Sequence, residues 1–538
     1  MRKNAILFLL PLFLLDVHPK TPVSMKSGPS TDKTSCEYKQ LTLSLRTKDP
    51  KTNREIFRQE KVDSRKVAVI IIDSWNFHWC MTATERVVAM IPRWNRALEC
   101  ARKMGMTIVW DPSDVAGNYA GYPQREKLLG QKLIPVPDAH GMPPVNFTAP
   151  GGMCMCGPGI ECIMDYGWDG MAPDLKIAET DFITSSTEEV YTLLKNRGID
   201  HIIYTGLHTN VCLFGKPGAL KFMVQAGLNC MLARDINDAI TIYDPAKGYT
   251  PDTGTQQTDD DLERAGVPTI NVVDEWRKAG VWNDQWMVET VRITPWGKPL
   301  RPYFFEKEVT VSLTSRLLRD IQIHYTTDGT EPYAGSPVYH KPLIFTRTTD
   351  LKTAAFRNGR KVSLPSSAYF VRLPPMPPKP DIYLDELKNI PDPYSLLGPV
   401  YAACLFMPEV GKSYEKKPLQ IRDKSYQKGL GFVAPGGVHY ELKPEYDRFV
   451  GLAGIADNMV KEDMGRNRAM HCSVVFRVFV DGVMLAESPV MRISQEPWRF
   501  DVKIPPGSRT MRIACMDAGS PSPYDLGNLV DAGFIQKK

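Results

Sequence analysis

The segment HIIYTGLHTNVCLFG, residues His201 to Gly215, decides the fold of the first half of the chain. Its apolar opening, IIY, favours a buried strand, and Gly206 ends that strand before a polar turn. From Cys212 onward apolar residues recur at helical spacing, which predicts a strand-to-helix junction at the open edge of an α/β sheet. Helix N-termini stabilise a thiolate, so we expect Cys212 to be ionised and reactive. A buried, unreactive cysteine is the alternative.

An earlier strand ends in a carboxylate. The run KVAVIIID, residues 66–73, is apolar up to Asp73, as is typical of a central parallel strand that is buried on both faces. Functional groups of open α/β sheets lie beyond the carboxyl ends of the strands, so Asp73 and Cys212 should share one edge. Alternating strand and helix patterns predict a parallel, right-handed, doubly wound sheet.

The turn GLHTNVC, residues 206–212, fits the pattern G-[VL]-x-[TS]-[ND]-x-C at every defined position. With the strand that ends at Asp73, it resembles the isochorismatase-like cysteine hydrolase superfamily over about residues 66–281, and we assign residues 66–290 to this α/β domain. The resemblance implies an active site made of an Asp, a Lys and a Cys. It places the lysine six residues before a phenylalanine, which here is Lys176 before Phe182, although the residues between them depart from the family pattern.

The resemblance also implies a reaction. Cys212 would attack a carbonyl carbon, and Asp73 would carry the proton as general base and then acid. Backbone N–H groups around His208 and Cys212 would hold the oxyanion. In the family a cis peptide bond aims these groups, which implies a cis bond between Leu207 and His208.

Residues near the two strand ends are candidates for a substrate pocket. Trp75, His78 and Trp79 follow Asp73, and they either line the pocket or pack under a loop. Asp111 ends the next strand. The family's nicotinamidases hold a metal with Asp-x-His at this place, but the sequence here is DPSD, so we predict no such metal and no cofactor.

A long Gly- and Pro-rich insertion between Asp114 and Pro173 carries three cysteines, Cys154, Cys156 and Cys162. A C-x-C pair with a third cysteine is metal-like, but no fourth ligand is evident nearby. In an exported chain we therefore expect disulfides, joining Cys154 or Cys156 to Cys162 or to Cys80. A metal is the lesser alternative.

The N-terminus indicates export. Two basic residues precede AILFLLPLFLL, residues 5–15, which is too short for a membrane span and typical of a secretory signal. We predict a signal peptide over residues 1–24 and an irregular arm over residues 25–65; an uncleaved tether is the alternative. The expected location is secreted, periplasmic or cell-envelope, with no membrane span after cleavage.

Beyond Trp282 the pattern changes to short β segments. The motifs YTTDGTEP (325–332) and SPVY (336–339) resemble the small immunoglobulin-like sandwich at the C-terminus of chitobiases, predicted over residues 300–373. A proline-rich linker, PPMPPKP, follows at residues 374–380. Residues 380–538 resemble a carbohydrate-binding jelly roll of the NPCBM type. This resemblance is carried by the motifs IYLDEL (382–387), YQKGLGF (426–432), YDRF (446–449) and VVFRVFVDG (474–482).

These observations predict a fold class of one α/β domain followed by two all-β sandwich domains, and they predict an exported cysteine hydrolase. Its substrate would be a small amide, ureide or related C–N compound, and its last domain would bind polysaccharide. The alternative is a carbohydrate-binding envelope protein whose α/β domain is inactive, in which case Lys176 would point outward with no substitute cation. A net charge of +5 over 538 residues indicates no nucleic-acid partner. Self-association through the α/β domain is left open.

Overall fold

A computed structural model gives the fold of most of the chain. The predicted signal peptide and residues 25–35 of the arm lie outside the described residues. Among the described residues, no helix combines the length and the apolar character that crossing a membrane requires. The described residues are 36–138, 141–142, 144–152, 154–158, 162, 167–391, 407–456, 471–519 and 525–538.

The α/β domain is built on an eight-stranded sheet. Its strands are β1 (Gln40–Lys48), β2 (Glu55–Asp63), β3 (Val67–Ile72), β4 (Thr107–Asp111), β5 (Phe182–Ile183), β6 (His201–Gly206), β7 (Asn229–Asn237) and β8 (Thr269–Ile270). Its α-helices among the described residues are α1 (Met81–Lys103), α2 (Pro123–Glu126), α3 (Thr187–Asn196), α4 (Cys212–Gly215), α5 (Leu220–Gln225), α6 (Pro251–Arg264) and α7 (Val272–Lys278).

The strand order is β2-β1-β8-β7-β6-β3-β4-β5, and strands β3 to β8 pair in parallel. From β3 the chain first builds outward through β4 and β5, and it then returns to the other side of β3 with β6. The predicted doubly wound sheet is therefore present, and its direction reverses between β3 and β6. Ligands of such sheets bind in the crevice at this reversal, so the topology predicts a site after β3 and β6.

The arm differs from the prediction. From Gln40 to Asp63 it is not irregular but forms an antiparallel hairpin, and β1 adds to the sheet beside β8. Leu41, Leu43 and Leu45 alternate with polar residues and are buried, which is the pattern of a strand with one buried face. The polar composition of the segment had hidden this two-residue period.

Two β-sandwiches follow. The strands of the first are β9 (Arg292–Thr294), β10 (Tyr303–Phe305), β11 (Val309–Thr314), β12 (Gln322–Thr326), β13 (Leu343–Phe345), β14 (Thr349–Arg357), β15 (Arg360–Lys361) and β16 (Ser366–Arg372). They form a three-stranded and a five-stranded sheet, with the orders β13-β11-β9 and β10-β16-β14-β12, β15 pairing with β14.

The described strands of the second sandwich are β17 (Ile382–Tyr383), β18 (Ile390–Pro391), β19 (Glu409–Val410), β20 (Leu419–Ile421), β21 (Lys424–Tyr426), β22 (Gly429–Ala434), β23 (Gly436–Glu441), β24 (Tyr446–Ile455), β25 (Val474–Val480), β26 (Val483–Glu487), β27 (Trp498–Lys503), β28 (Thr510–Asp517) and β29 (Asp525–Gln536). Its two main sheets have the orders β19-β22-β29-β24-β27 and β18-β23-β28-β25-β26. Buried aromatic residues such as Phe432, Phe476 and Phe534 fill the core between them.

The first sandwich and the α/β domain share apolar packing. One core cluster joins Cys80, Met81 and Cys156 of the α/β domain to residues of the sandwich such as Tyr303 and Phe370. The start of α1 and part of the insertion are thus fixed against the sandwich.

Candidate active site

Four side chains meet where β3, β4 and β6 end. Asp73 directly follows β3, is fully buried and has a left-handed backbone with φ of 51°. Asp111 is the last residue of β4 and is also buried. Lys216 Nζ lies 2.9 Å from Asp73 Oδ1, 2.9 Å from Asp111 Oδ1 and 2.7 Å from the Asp111 carbonyl oxygen. Cys212 completes the cluster, because Asp73 lies close enough to its thiol to raise the pKa of that thiol.

The lysine of this cluster is Lys216 and not Lys176. The structure leaves Lys176 exposed, with its backbone N–H donating to Asn95 Oδ1 (2.8 Å) and its carbonyl accepting from Arg102. It is not brought together with Asp73 or Cys212. Lys216 directly follows the short helix α4 and stands four residues after Cys212. That i, i+4 spacing corresponds to about one helical turn, and it is the signal in the sequence that could have indicated Lys216.

Lys216 is charged in this site. Burial opposes its charge, but the carboxylates of Asp111 and Asp73 outweigh burial and raise the pKa of the ammonium above its ordinary value. The side chain of Lys216 is about 10% exposed, and those of its two partners are at most 2% exposed. The ammonium therefore stabilises two carboxylates in a poorly solvated pocket.

The surroundings of Cys212 favour the thiol over the predicted thiolate. Burial raises the pKa of the thiol well above its ordinary value, and the negative charge of Asp73 and its hydrogen bond to the thiol add to the rise. Lys216 lowers the pKa by less. Helix α4 has four residues, so its N-terminus supplies little of the expected stabilisation. The sulfur must pass its proton to a base as it attacks, and Asp73 is the acceptor in contact.

The turn after β6 has open backbone donors. The N–H groups of Leu207 and Thr209 are bonded to the carbonyls of Ile72 (3.0 Å) and Asp238 (2.8 Å). Those of His208 and Cys212 donate to no backbone carbonyl in the part of the chain that the structure describes, so they are available to an oxyanion. The predicted cis bond between Leu207 and His208 is not found, since the cis bonds among the described residues precede Pro295 and Pro435.

Gly206 is required by the geometry of this turn. Its φ is 125°, and a Cβ atom at this position would lie 1.9 Å from the carbonyl oxygen of Ile72. Any side chain would separate β6 from β3 at the point where Asp73 and the turn meet. The glycine of the recognised turn pattern therefore has a steric explanation in this chain.

An aromatic group lies beside the site. The ring of Trp75 stacks on that of Trp168 with centroids 5.3 Å apart, and His208 meets Trp75 edge-on at 5.0 Å. The ring of His78 lies 3.8 Å from Trp79 and 5.5 Å from His208. Of the predicted pocket residues, Trp75 and His78 are buried and Trp79 is half-buried. Trp168, which comes from the insertion, was not among the predicted pocket residues.

The insertion reaches the site through its last residues. Trp168 Nε1 donates to Asp114 Oδ1 (2.8 Å), and Asp114 is close enough to Cys212 to raise the pKa of its thiol further. The backbone of Ala172 donates to Ser74 at 2.8 Å, so the end of the insertion pairs with the loop after β3. Trp168 is half-buried and forms part of the wall near the thiol.

Two polar atoms of the aromatic group are buried without a partner. Trp75 Nε1 and His208 Nε2 make no hydrogen bond to any described residue. Burial lowers the pKa of His208 to about 4, so its ring is neutral at pH 7. Buried polar atoms are rarely left unsatisfied, so both are candidates to bind a polar ligand.

Buried ion pairs anchor the site to the first sandwich. Arg86 holds Asp238 with two hydrogen bonds, of 2.7 and 2.6 Å, and Asp238 accepts from Thr209 in the turn. Arg86 also contacts Asp252, which pairs with Arg292 of β9 at 2.7 Å. The turn that carries Cys212 is thus connected through charged groups to the neighbouring sandwich.

Comparisons with known proteins support the two C-terminal predictions. Residues 302–367 match the family model of the chitobiase/beta-hexosaminidase C-terminal domain, and residues 403–535 match that of the NPCBM/NEW2 domain. These matches confirm both resemblances found in the sequence. No curated protein matches the chain.

Solved structures resemble parts of the chain only distantly. One is CBM51 from Clostridium perfringens GH95 in complex with methyl-galactose, with 22% identity, coverage of 29% of this chain and 99% of that one, and a TM-score of 0.23. A cysteine hydrolase from Pseudomonas syringae pv. phaseolicola 1448A has 16% identity, coverage of 41% and 96%, and a TM-score of 0.26. An isochorismatase family protein from Burkholderia thailandensis has 16% identity, coverage of 37% and 96%, and a TM-score of 0.19. At these TM-scores the likenesses carry no argument.

Proposed function

We propose that the α/β domain is a cysteine hydrolase that cleaves a small amide, ureide or related C–N bond through a covalent intermediate on Cys212. The contact among Cys212, Asp73 and Lys216 at the sheet reversal carries this proposal. The competing hypothesis of an inactive domain required an outward Lys176 with no substitute cation. Lys216 is such a substitute, and this favours the enzyme.

The first half of the reaction forms the intermediate. Asp73 accepts the thiol proton of Cys212 while the sulfur attacks the carbonyl carbon of the substrate. The N–H groups of His208 and Cys212 donate to the oxygen that becomes negative. The protonated Asp73 then gives its proton to the leaving nitrogen as the C–N bond breaks, which leaves an acyl or carbamoyl thioester.

The second half releases the product. Asp73 is again a carboxylate and takes a proton from water, which attacks the thioester carbonyl. The tetrahedral intermediate then collapses: the carbonyl forms again, the C–S bond breaks, and the sulfur recovers its proton from Asp73. Lys216 stays protonated throughout and holds Asp73 in place, so it is a positioning residue.

The test is a screen of the full-length protein against small amides and ureides, with acid quenching and intact-mass measurement. We expect an adduct on wild type, no adduct on Cys212→Ala, and turnover lower by about a thousandfold or more in that variant. Cys36→Ala is the matched control, because Cys36 is exposed and lies outside the site. Turnover that persists in Cys212→Ala would exclude the covalent mechanism.

We also propose that the second sandwich binds a glycan and holds the enzyme near polysaccharide, in a secreted or envelope location. A groove of about 710 Å³ runs along β27 and is lined by Trp498, Arg448, Asp501 and Lys503 among others. An aromatic face beside charged side chains suits a sugar ring and its hydroxyl groups. By contrast, the sandwich aromatics Phe432 and Tyr440 lie in the core.

Glycan arrays probed with the full chain test this second proposal. Trp498→Ala should abolish retention, whereas Trp286→Ala, at a half-buried tryptophan of the α/β domain, should leave it unchanged. Equal retention by both variants would remove the groove as the binding surface.

A further inference from the structure

The structure brings together four cysteines from two distant parts of the α/β domain. Cys80 lies just before α1, and the others come from the insertion, 76 residues later in the case of Cys156. All four sulfur atoms lie within 4.8 Å of one another. The sulfur of Cys80 is 3.6 Å from that of Cys156, and that of Cys162 is 3.5 Å from Cys154 and 3.9 Å from Cys156.

The expected disulfides are not present. A disulfide has its sulfur atoms about 2.05 Å apart, whereas the pairs here are separated by 3.5 to 3.9 Å. All four cysteines are free. No fourth ligand is evident near Cys154, Cys156 and Cys162 in the sequence, and the structure supplies that ligand as Cys80.

We propose that Cys80, Cys154, Cys156 and Cys162 bind one Zn²⁺ ion in a tetrahedral site. A Zn–S bond is about 2.3 Å, so neighbouring ligand sulfurs of a regular tetrahedron lie about 3.8 Å apart. Three of the six separations, of 3.5, 3.6 and 3.9 Å, lie close to this value, and all six are within 4.8 Å. An iron–sulfur cluster places its cysteines on different iron atoms and needs a wider spacing than one ion.

The surroundings suit four thiolates around a divalent cation. On binding, the four thiols lose their protons to solvent, which leaves a net charge of −2 on the site. The N–H groups of Ala83 (3.4 Å) and Met155 (3.2 Å) donate to the sulfur of Cys80. Cys80 is also the N-cap of α1, a helix of 23 residues whose N-terminus favours negative charge.

Further donors lie beside the other sulfurs. The N–H of Cys156 donates to Cys154 at 3.4 Å, and the hydroxyl of Thr82 lies 3.3 Å from the sulfur of Cys156. Arg301 of the first sandwich lines the same small cavity as Cys156 and Cys162. These groups offset the excess negative charge that a four-thiolate site carries.

The ion would act as a structural link and not in catalysis. Cys80 closes the loop that carries Trp75, His78 and Trp79, and its N–H donates to His78 Nδ1 at 3.0 Å. Tyr303 of β10 donates to the carbonyl of Cys156 at 2.7 Å. One zinc ion would therefore join the pocket loop, the insertion and the first sandwich.

The test is the metal content of the full-length protein purified under reducing conditions, measured by inductively coupled plasma mass spectrometry. We expect about one zinc per chain in wild type. After the same washes with chelator-free buffer, Cys154→Ser should retain at least tenfold less zinc per chain than wild type. Cys36→Ser is the matched control and should keep its zinc. Replacement of zinc by Co²⁺ in wild type should give the visible absorption of thiolate-bound tetrahedral cobalt, which needs no variant to fold.

Three results would overturn the proposal. The first is wild-type protein that binds neither ion after reduction and reconstitution. The second is an intact mass that is lower by four hydrogens without metal, which indicates two disulfides. The third is stoichiometric iron in place of zinc. None of these readouts depends on enzyme activity, so the proposal stands or falls separately from the proposed hydrolase.

Discussion

Replacing Lys216 with Met removes the ammonium that bridges Asp73 and Asp111 and keeps an unbranched side chain of similar length. Both carboxylates are buried, with side-chain exposures of 0% and 2%. Removing one partner of a buried ion pair costs about 3–5 kcal/mol, because the remaining charge loses its compensation in a poorly solvated site. We therefore expect Lys216→Met to lower the free energy of unfolding by about 3–5 kcal/mol and to reduce turnover strongly.

Urea unfolding followed by far-UV circular dichroism measures the stability, and the amide screen measures turnover. Lys176→Met is the matched control, since the same substitution at an exposed lysine should change stability by about 0.5 kcal/mol or less. The double variant Lys216→Met/Asp73→Asn removes the cation together with one of its carboxylates. It should be more stable than the sum of the two single changes predicts.

The reasoning is refuted if Lys216→Met and Lys176→Met behave alike in both assays. It also fails if the double variant shows the plain sum of the single effects, because then Lys216 and Asp73 are not coupled. A loss of turnover in Lys176→Met would restore the residue that the family pattern indicated.

Three further predictions concern the turn and its neighbours. Cys212 should react with iodoacetamide only at alkaline pH. Asp73→Asn should speed this labelling at a given pH, because the pKa of the thiol falls when the negative charge is removed. The same variant should abolish turnover, because it lacks the proton acceptor. Burial lowers the pKa of His208 from 6.5 to about 4. The contribution of this residue to the free energy of unfolding is therefore complete above pH 6.5 and falls by about 3 kcal/mol as the pH drops towards 4. The melting temperature of His208→Gln should depend less on pH than that of wild type. Gly206→Ala should cost about 3 kcal/mol or more because of its contact with a backbone carbonyl, whereas Gly198→Ala, with positive φ but open space around it, should cost about 1 kcal/mol.

Each of these has a distinct contrary result. Labelling of Cys212 at pH 6 that matches its rate at pH 9 would indicate a thiolate at rest. Identical pH profiles of melting temperature for wild type and His208→Gln would mean that another group titrates. Equal stability of the two alanine variants would show that β6 can move away from β3 without cost.

The main features of the α/β fold could be predicted because they depend on local patterns. The strand before Asp73 and the turn before Cys212 each have an apolar run that ends at a functional residue, and the reversal between β3 and β6 places those ends together. The hairpin of β1 and β2 was missed because alternating leucines are a weaker signal than a continuous apolar run. The two sandwiches were found through longer motifs, and the family models confirm them.

The candidate site was predicted in part. Asp73 and Cys212 were found because both lie at strand ends, where topology decides position. Lys216, the lysine that the structure places beside Asp73, was not predicted because the family's offset from a phenylalanine led to Lys176, although Lys216 stands at helical spacing from Cys212. The ionisation of Cys212 could not be predicted from the sequence, since it depends on burial and on the contact with Asp73.

The cluster of four cysteines could not be predicted from the sequence for a different reason. Cys154, Cys156 and Cys162 suggested metal binding by their spacing, but the fourth sulfur belongs to Cys80 at the start of α1. The insertion is distant from Cys80 in the sequence and lies next to it only in the folded chain. A ligand set completed by a distant residue leaves no local signal, so sequence spacing alone favoured disulfides.

The sheet and the insertion contribute different groups to the candidate site. Asp73 and Asp111 come from strand ends, and Cys212 and Lys216 come from α4 and the residue after it. None of these four side chains belongs to the insertion. The insertion instead supplies Trp168 to the pocket wall and three sulfurs to the proposed zinc site. Changes in the insertion should then alter which substrate fits, through the wall and its anchoring, while the proton transfer between sulfur and carboxylate stays intact. A variant at Trp168 is expected to change KM more than kcat, whereas a variant at Lys216 should lower kcat.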